Sequence, residues 1–132
     1  MRELERVQSA RVARLATADK AGRPHCVPVC FVLWNDQLLI PLDEKPKQVE
    51  VKRLRRVRNV LENPQVTLLV DHYDDDWDKL WFVMIEGSAS LVELSAEPVA
   101  LLRAKYVPYR TMTLTLAISI QPTRQVRWPL AT

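Results

Sequence analysis

Seven cations stand between Lys45 and Arg58: Lys45, Lys47, Lys52, Arg53, Arg55, Arg56 and Arg58, opposed only by Glu50. Five of them crowd around Leu54, and four of those five are arginines. On a helix Lys52, Arg55 and Arg56 share one face, apart from a stripe of Val51, Leu54, Val57 and Leu61. Like charges three and four residues apart repel, and nothing acidic is interleaved to relieve them. One account is a solvated helix face. The other is a bound anion, for which the forked guanidinium is suited when that anion is a phosphate. Nucleic acid is a further polyanion, but no aromatic residue is interleaved with these cations to stack bases.

Other chemistry has fewer candidates. His25 and His72 are the only histidines, and Cys26 and Cys30 the only cysteines. A zinc site built from them needs adjacent residues of one strand, whose side chains point to opposite faces. No motif orients a serine and a histidine for nucleophilic catalysis. The acidic run Asp74-Asp75-Asp76 reads as a solvated loop. Only Gly22 and Gly87 are glycines, which excludes a dinucleotide-binding GxGxxG, a Walker loop and a GxSxG elbow, each with at least two close glycines.

At 132 residues, 48% apolar, 27% charged and a net charge of +3, the chain is the length of one globular domain, taken as residues 1–132. Its basic excess is below that of a dedicated nucleic-acid binder. Cys26 and Cys30 lie about 13 Å apart in an extended segment, too far to pair, and read as reduced core thiols. The N-terminus lacks the apolar stretch of a signal peptide, and no run approaches the ~18 apolar residues of a membrane span. The expectation is a cytoplasmic protein with no membrane and no nucleic-acid partner.

The elements that must position the cations follow from periodicity. Leu4, Val7 and Arg11 stand at helical spacing. Arg11 to Thr17 reads as a strand, Asp19 to Gly22 as a hairpin turn, and His25 to Trp34 as a second strand, in which Pro28 marks an edge, a bulge or a place covered by a ligand. Asn35-Asp36 turns into a third strand, Gln37 to Pro41, making a meander. Pro46 opens a helix that Asn63-Pro64 stops. Gln65 to Tyr73 and Leu80 to Leu94 read as strands, the latter with a bulge or bend at Gly87. Ser95 caps a helix running through Tyr106. Met112 to Ile120 alternate cleanly, and Gln125 to Trp128 adds a short last strand. Six or seven mostly antiparallel strands with helices between them predict a mainly β fold, a small barrel flanked by helices. Tyr73, Trp77, Trp81, Phe82 and Met84 are too many to bury in one small barrel and predict a homodimer interface.

Arg11-Val-Ala-Arg-Leu-Ala-Thr followed by Gly22-Arg-Pro-His-Cys-Val-Pro-Val resembles the opening hairpin of the pyridoxamine-phosphate-oxidase-like split β-barrel flavoproteins. The basic helix ending in Arg58-Asn59 and Asn63-Pro64, the strand Val66-Thr-Leu-Leu-Val, and Ile85-Glu-Gly-Ser-Ala match in order and spacing, so the resemblance spans about Val7 to Leu94. Asp43–Lys47 with Asp71–Trp81 is most similar to the branch of deazaflavin-dependent oxidoreductases.

The resemblance implies a split β-barrel homodimer with a cofactor at the subunit interface, either the deazaflavin coenzyme (F-420), which is favoured, or FMN. It implies that the strand carrying Pro28 and Val29 lies beneath the ring, and the residues of that segment, Val27, Val29, Phe31 and the Pro28 ring, offer an apolar floor for it. Ile40 and Pro41 then border the ring or ribityl chain. Arg55 and Arg56 grip the phosphate with help from Lys47, and Trp81 and Phe82 arrive from the second subunit. The activity implied is hydride transfer to or from a small organic substrate. Such a cofactor brings its own hydride chemistry, so the chain need supply only position, electrostatics and exclusion of water. Seven cations exceed what one phosphate requires, which favours the deazaflavin with its oligoglutamate tail. Departures matter too. Pyridoxamine phosphate oxidases carry an arginine at the position of Val27 and a lysine near Val32, and they end in a basic segment that Arg127-Trp-Pro-Leu does not reproduce. Haem-degrading relatives use histidines without counterparts here. A non-catalytic flavin or haem (tetrapyrrole) carrier is the alternative, and a nucleic-acid-binding barrel a more distant one.

Overall fold

The computed structural model describes residues 2–42 and 53–129. Helix α1 (Arg2–Ser9) leads into β1 (Ala13–Ala18) and β2 (Pro24–Val29), then β3 (Val32–Trp34) and β4 (Gln37–Pro41). Helix α2 (Arg55–Glu62) precedes β5 (Gln65–His72) and β6 (Trp81–Glu93). Helix α3 (Ala96–Lys105), a 3-10 turn (Val107–Thr111) and β7 (Leu116–Trp128) complete the chain. The strands form one antiparallel sheet in the order β2-β1-β5-β6-β7-β4-β3.

That order forces the sheet to roll up. Its two edges, β2 and β3, are joined through Cys30 and Phe31 alone. A flat sheet of this width would hold its edges about 29 Å apart, whereas the link from Val29 to Val32 spans at most ~11 Å. The edges meet at a seam without pairing, and the fold is mainly β, a split barrel with helices at its flanks.

The local turns follow their residue chemistry. Gly22 takes φ +84 and donates its N–H to the Asp19 carbonyl at 3.0 Å. Asn35 and Asp36 both take positive φ, the conformation of a two-residue hairpin turn between Trp34 and Gln37. Gly87 marks a register shift, with Glu86 opposite Arg124 but Gly87 opposite Pro122. A Cβ at Gly87 would run into the Gln121 carbonyl oxygen and approach Ile120 Cγ2 to 2.8 Å, so only glycine fits.

Inside the barrel, Leu15, Phe31, Leu38, Ile40, Leu68, Val70, Val83, Ile118 and Ile120 form the main core, with Val7 of α1 and Val57 and Val60 of α2 packed on it. Each such side chain contributes about 1.5–3 kcal/mol by leaving water. A second cluster, Val32, Leu39, Leu102, Tyr106, Tyr109 and Leu114, joins α3 to the outside of β3 and β4. Strand β4 is therefore buried on both faces.

Several expectations are corrected. The strand expected over His25 to Trp34 breaks at Cys30–Phe31, and the expected meander is instead two hairpins at opposite edges of the sheet. The cause is distant in sequence. The Tyr106 hydroxyl accepts the Phe31 N–H at 3.1 Å and donates to the Arg11 carbonyl at 3.1 Å, while Lys105 Nζ donates to the Phe31 carbonyl at 2.9 Å. Phe31 thus satisfies its backbone without a ladder. On α2, Leu61 is 55% exposed, and the buried face is Val57, Asn59 and Val60. The earlier part of the expected helix, with Lys47, Val51 and Lys52, lies outside the described residues, as does Lys45 before it. The two last expected strands are one, and Met112 and Leu114 precede it in the outer cluster. Cys26 is exposed and Cys30 half-buried, so neither is a core thiol. Cys26 pairs with Ala16 on the outward face of an edge strand.

Candidate functional site

Helix α2 begins with an electrostatic conflict. Its N-cap position is Leu54, which offers no side-chain bond, and its first turn holds no acid. Arg55 and Arg56 stand instead at the positive end of the helix dipole, beside N–H groups that have no intrahelical partner. An anion relieves all of these at once.

Arg55 and Arg58 open onto a cavity of about 380 Å³ between α2 and the β1–β2 turn, shared with Asp19, Lys20, Arg23 and Asn59. The turn is held by Asp19, whose carboxylate accepts the Ala21 N–H at 2.9 Å, the Arg23 N–H at 3.0 Å and Arg23 Nε at 2.7 Å. The Arg23 side chain is the main reason its pKa falls to about 2. The cavity's other carboxylate, Glu62, accepts the Lys20 N–H at 3.1 Å. Both acids are therefore engaged with the turn, and among the described residues none pairs with Arg55 or Arg58. Asn59, 1% exposed, forms the wall by donating Nδ2 to Thr17 Oγ1 at 3.0 Å.

His25 faces this helix from β2, opposite Thr17. Burial, then the charges of Arg55 and Arg56, lower its pKa, so the imidazole is neutral at neutral pH. Its Nδ1 is buried without a hydrogen-bond partner among the described residues. A buried polar atom left open beside two guanidinium groups fits an absent polar, anionic ligand.

The other expected site residues are dispersed. Val27 packs partly into the core and Val29 is buried in it, while Pro28 points outward from the edge strand opposite Arg14. The expected apolar floor of Val27, Pro28, Val29 and Phe31 is thus not one surface, because side chains alternate along β2 and Phe31 is fully buried. Pro28 sits in an edge strand, one of the three explanations its presence allowed. Ile40 and Pro41 are buried in β4. Lys47 lies outside the described residues. Trp81 belongs to a separate apolar groove of about 340 Å³ with Leu69, Tyr73, Leu80 and Phe82. It stacks on His72 at 6.3 Å, and Arg6 lies 5.4 Å over its ring. Since Arg14 is level with Leu69, His72 is level with Arg11, roughly 20 Å along the strands from Thr17 and α2. Within one chain, Trp81 and Arg55 do not meet.

Sequence reasoning weighed His25 as a zinc ligand rather than as a neighbour of the arginines, and it showed Arg58, Asn59 and the Asp19–Gly22 turn without showing that they share one cavity. The turn residues Asp19 to Gly22 carried the signal, since closing that hairpin places His25 opposite Thr17. Among the described residues no cluster of metal-ligating side chains occurs, and no helix is long and apolar enough to cross a membrane.

A rolled antiparallel sheet open along one seam, with a cationic helix at one end, defines the split-barrel class. More narrowly, residues 2–126 match the family described as pyridoxamine 5'-phosphate oxidase, and the chain belongs to that family. Among solved structures it is similar to a conserved hypothetical protein from Mycobacterium tuberculosis (TM-score 0.76, 20% identity, covering 95% of this chain and 81% of that one). It is also similar to the heme storage protein HutZ from Vibrio cholerae (0.70, 19%, 92% and 89%). A third is the FAD binding protein from Mycobacterium smegmatis (0.64, 22%, 96% and 92%). No curated protein matches the chain.

Proposed function

We propose that this chain is an oxidoreductase that binds a flavin-type cofactor between two copies and supports hydride transfer to or from a small organic substrate, with the deazaflavin coenzyme preferred to FMN. The observation that carries the reading is the cavity lined by Arg55 and Arg58, whose two carboxylates, Asp19 and Glu62, are engaged with the β1–β2 turn and leave both arginines open to an anion. Membership of the oxidase family and similarity to a protein that binds FAD support the same class.

In this reading Arg55, Arg56 and Arg58 hold the cofactor's phosphate, and the positive charge of Lys47 and its neighbours in sequence favours a cofactor with an anionic tail. The cofactor, when bound, supplies the hydride donor and acceptor. The backbone of β2 offers its outward groups along the edge strand, where ladder bonds are unmade. Trp81 and Phe82 of a second copy supply the apolar cover that a single chain lacks at α2, which makes the homodimer part of the site.

Absorbance and calorimetric titrations with FMN, FAD, the deazaflavin coenzyme and haem test the proposal. The expected result is saturable binding of the deazaflavin, weaker binding of FMN, and a dimer by light scattering. Binding of haem alone, with a Soret shift, replaces this reading with that of a tetrapyrrole carrier.

A further inference from the structure

The far end of the molecule from α2 holds an amine in an uncommon setting. Lys105, the last residue of α3, reaches over the barrel seam, donates Nζ to the Phe31 carbonyl at 2.9 Å, and lies 3.9 Å from the centre of the Phe31 ring and 5.2 Å from that of Tyr106. It borders an apolar groove of about 260 Å³ with Gln8, Val32, Leu33, Leu101 and Ala104. Among the described residues no carboxylate pairs with it. The charged and titratable groups that face it are the Arg11 guanidinium ahead of β1, the Cys30 thiol at the seam and the Tyr106 hydroxyl next in sequence.

We propose that Lys105 is a carbonyl-capturing amine, condensing with a small apolar aldehyde held in this groove to form an imine. The neutral nitrogen adds to the carbonyl carbon, the C=O pair moves to oxygen, and the carbinolamine loses one water. The amine's two hydrogens leave in that water, and no oxidant or reductant takes part. The Phe31 carbonyl fixes the position of the amine before the reaction, and once the imine has formed that carbonyl keeps the Tyr106 hydroxyl, at 3.3 Å, as its donor. Val32, Leu33, Leu101 and Ala104 provide apolar contact for the aldehyde's alkyl group and keep a charged one out. The proposal stands apart from the cofactor reading, since it uses none of the residues at α2.

Burial, reinforced by Arg11, lowers the Lys105 ammonium to about 8. At pH 7.5 roughly a quarter of it is neutral, against about one part in a thousand for an ordinary lysine. A less basic amine is also a weaker nucleophile, by about tenfold over this range on the slope that thiols follow. The remaining advantage over the exposed Lys20 and Lys79 is on the order of tenfold.

The test is reductive trapping of the full chain with isobutyraldehyde and cyanoborohydride at pH 7.5, read by peptide mass spectrometry. Lys105 is expected to label about tenfold faster than Lys20 and Lys79, with a rate that rises through a midpoint near pH 8 and an advantage that vanishes in urea. Anionic glyoxylate is expected to lose most of that preference. Equal labelling of the three lysines in the folded chain, or a preference that survives unfolding, overturns the proposal. An undiminished preference with glyoxylate overturns the assignment of an apolar aldehyde.

Discussion

The cavity at α2 and the groove at Trp81 are opposites. The first is lined by Lys20, Arg23, Arg55 and Arg58 around two carboxylates already engaged by the turn. The second is lined by Leu69, Tyr73, Leu80, Trp81 and Phe82, with the exposed Trp77 on the loop beside it. One offers charge and little apolar surface, the other apolar surface and stacked rings. A ligand with a phosphate and a planar ring system needs both, and the two lie roughly 20 Å apart along the strands of one chain. On the proposed function the two cavities are half-sites, and the contrast between them is what makes that proposal call for a second copy.

The comparison breaks most readily at the charged half. Replacing Arg55 and Arg58 by alanine removes two charge-assisted bonds of ~1.5–3 kcal/mol each. The expected result is a loss of cofactor affinity of at least about a hundredfold, measured by calorimetry, with an unchanged melting temperature. Unchanged affinity would return the arginines to a solvated face.

The apolar half should respond more weakly. Trp81→Ala is expected to lower cofactor affinity about tenfold by removing aromatic contact, and to weaken dimerisation in the same light-scattering series. A tenfold loss of affinity without any change in dimer dissociation would place Trp81 over its own chain's cofactor instead.

Smaller effects sharpen the geometry. Asn59→Ala leaves Thr17 Oγ1 without its buried donor and should cost about 1–2 kcal/mol in urea denaturation. His25 tests the electrostatics through pH. Its folded pKa is below the ordinary 6.5, so the unfolded chain takes up its proton first. Stability from the neutral imidazole is complete above pH 6.5 and is lost as pH falls through the lower folded value. His25→Gln should flatten that part of the stability profile, and an unaltered slope would remove His25 from the influence of Arg55 and Arg56.

What the sequence made legible was local. The Asp19–Gly22 and Asn35–Asp36 turns, the bounds of β4, the stop at Asn63 and the bulge at Gly87 each depend on residues within a few positions. The break at Cys30–Phe31 was not legible, because the groups that satisfy Phe31 come from Tyr106 and Lys105, more than seventy residues away. The burial of Asn59 and exposure of Leu61 depend on which face of α2 meets Thr17, which helical spacing alone does not fix. Of the site, the arginine cluster was readable from charge, whereas the role of His25 needed the hairpin register.

The most direct measurement is a calorimetric titration of the wild-type chain with the full-length deazaflavin coenzyme and with the same coenzyme lacking its glutamate tail, at low and high salt. The cationic cavity and the cations before it predict tighter binding of the full-length form at low salt, with much of the difference erased at high salt, where exposed charges are screened. Equal affinity for both forms at low salt would contradict the account and make FMN the better cofactor.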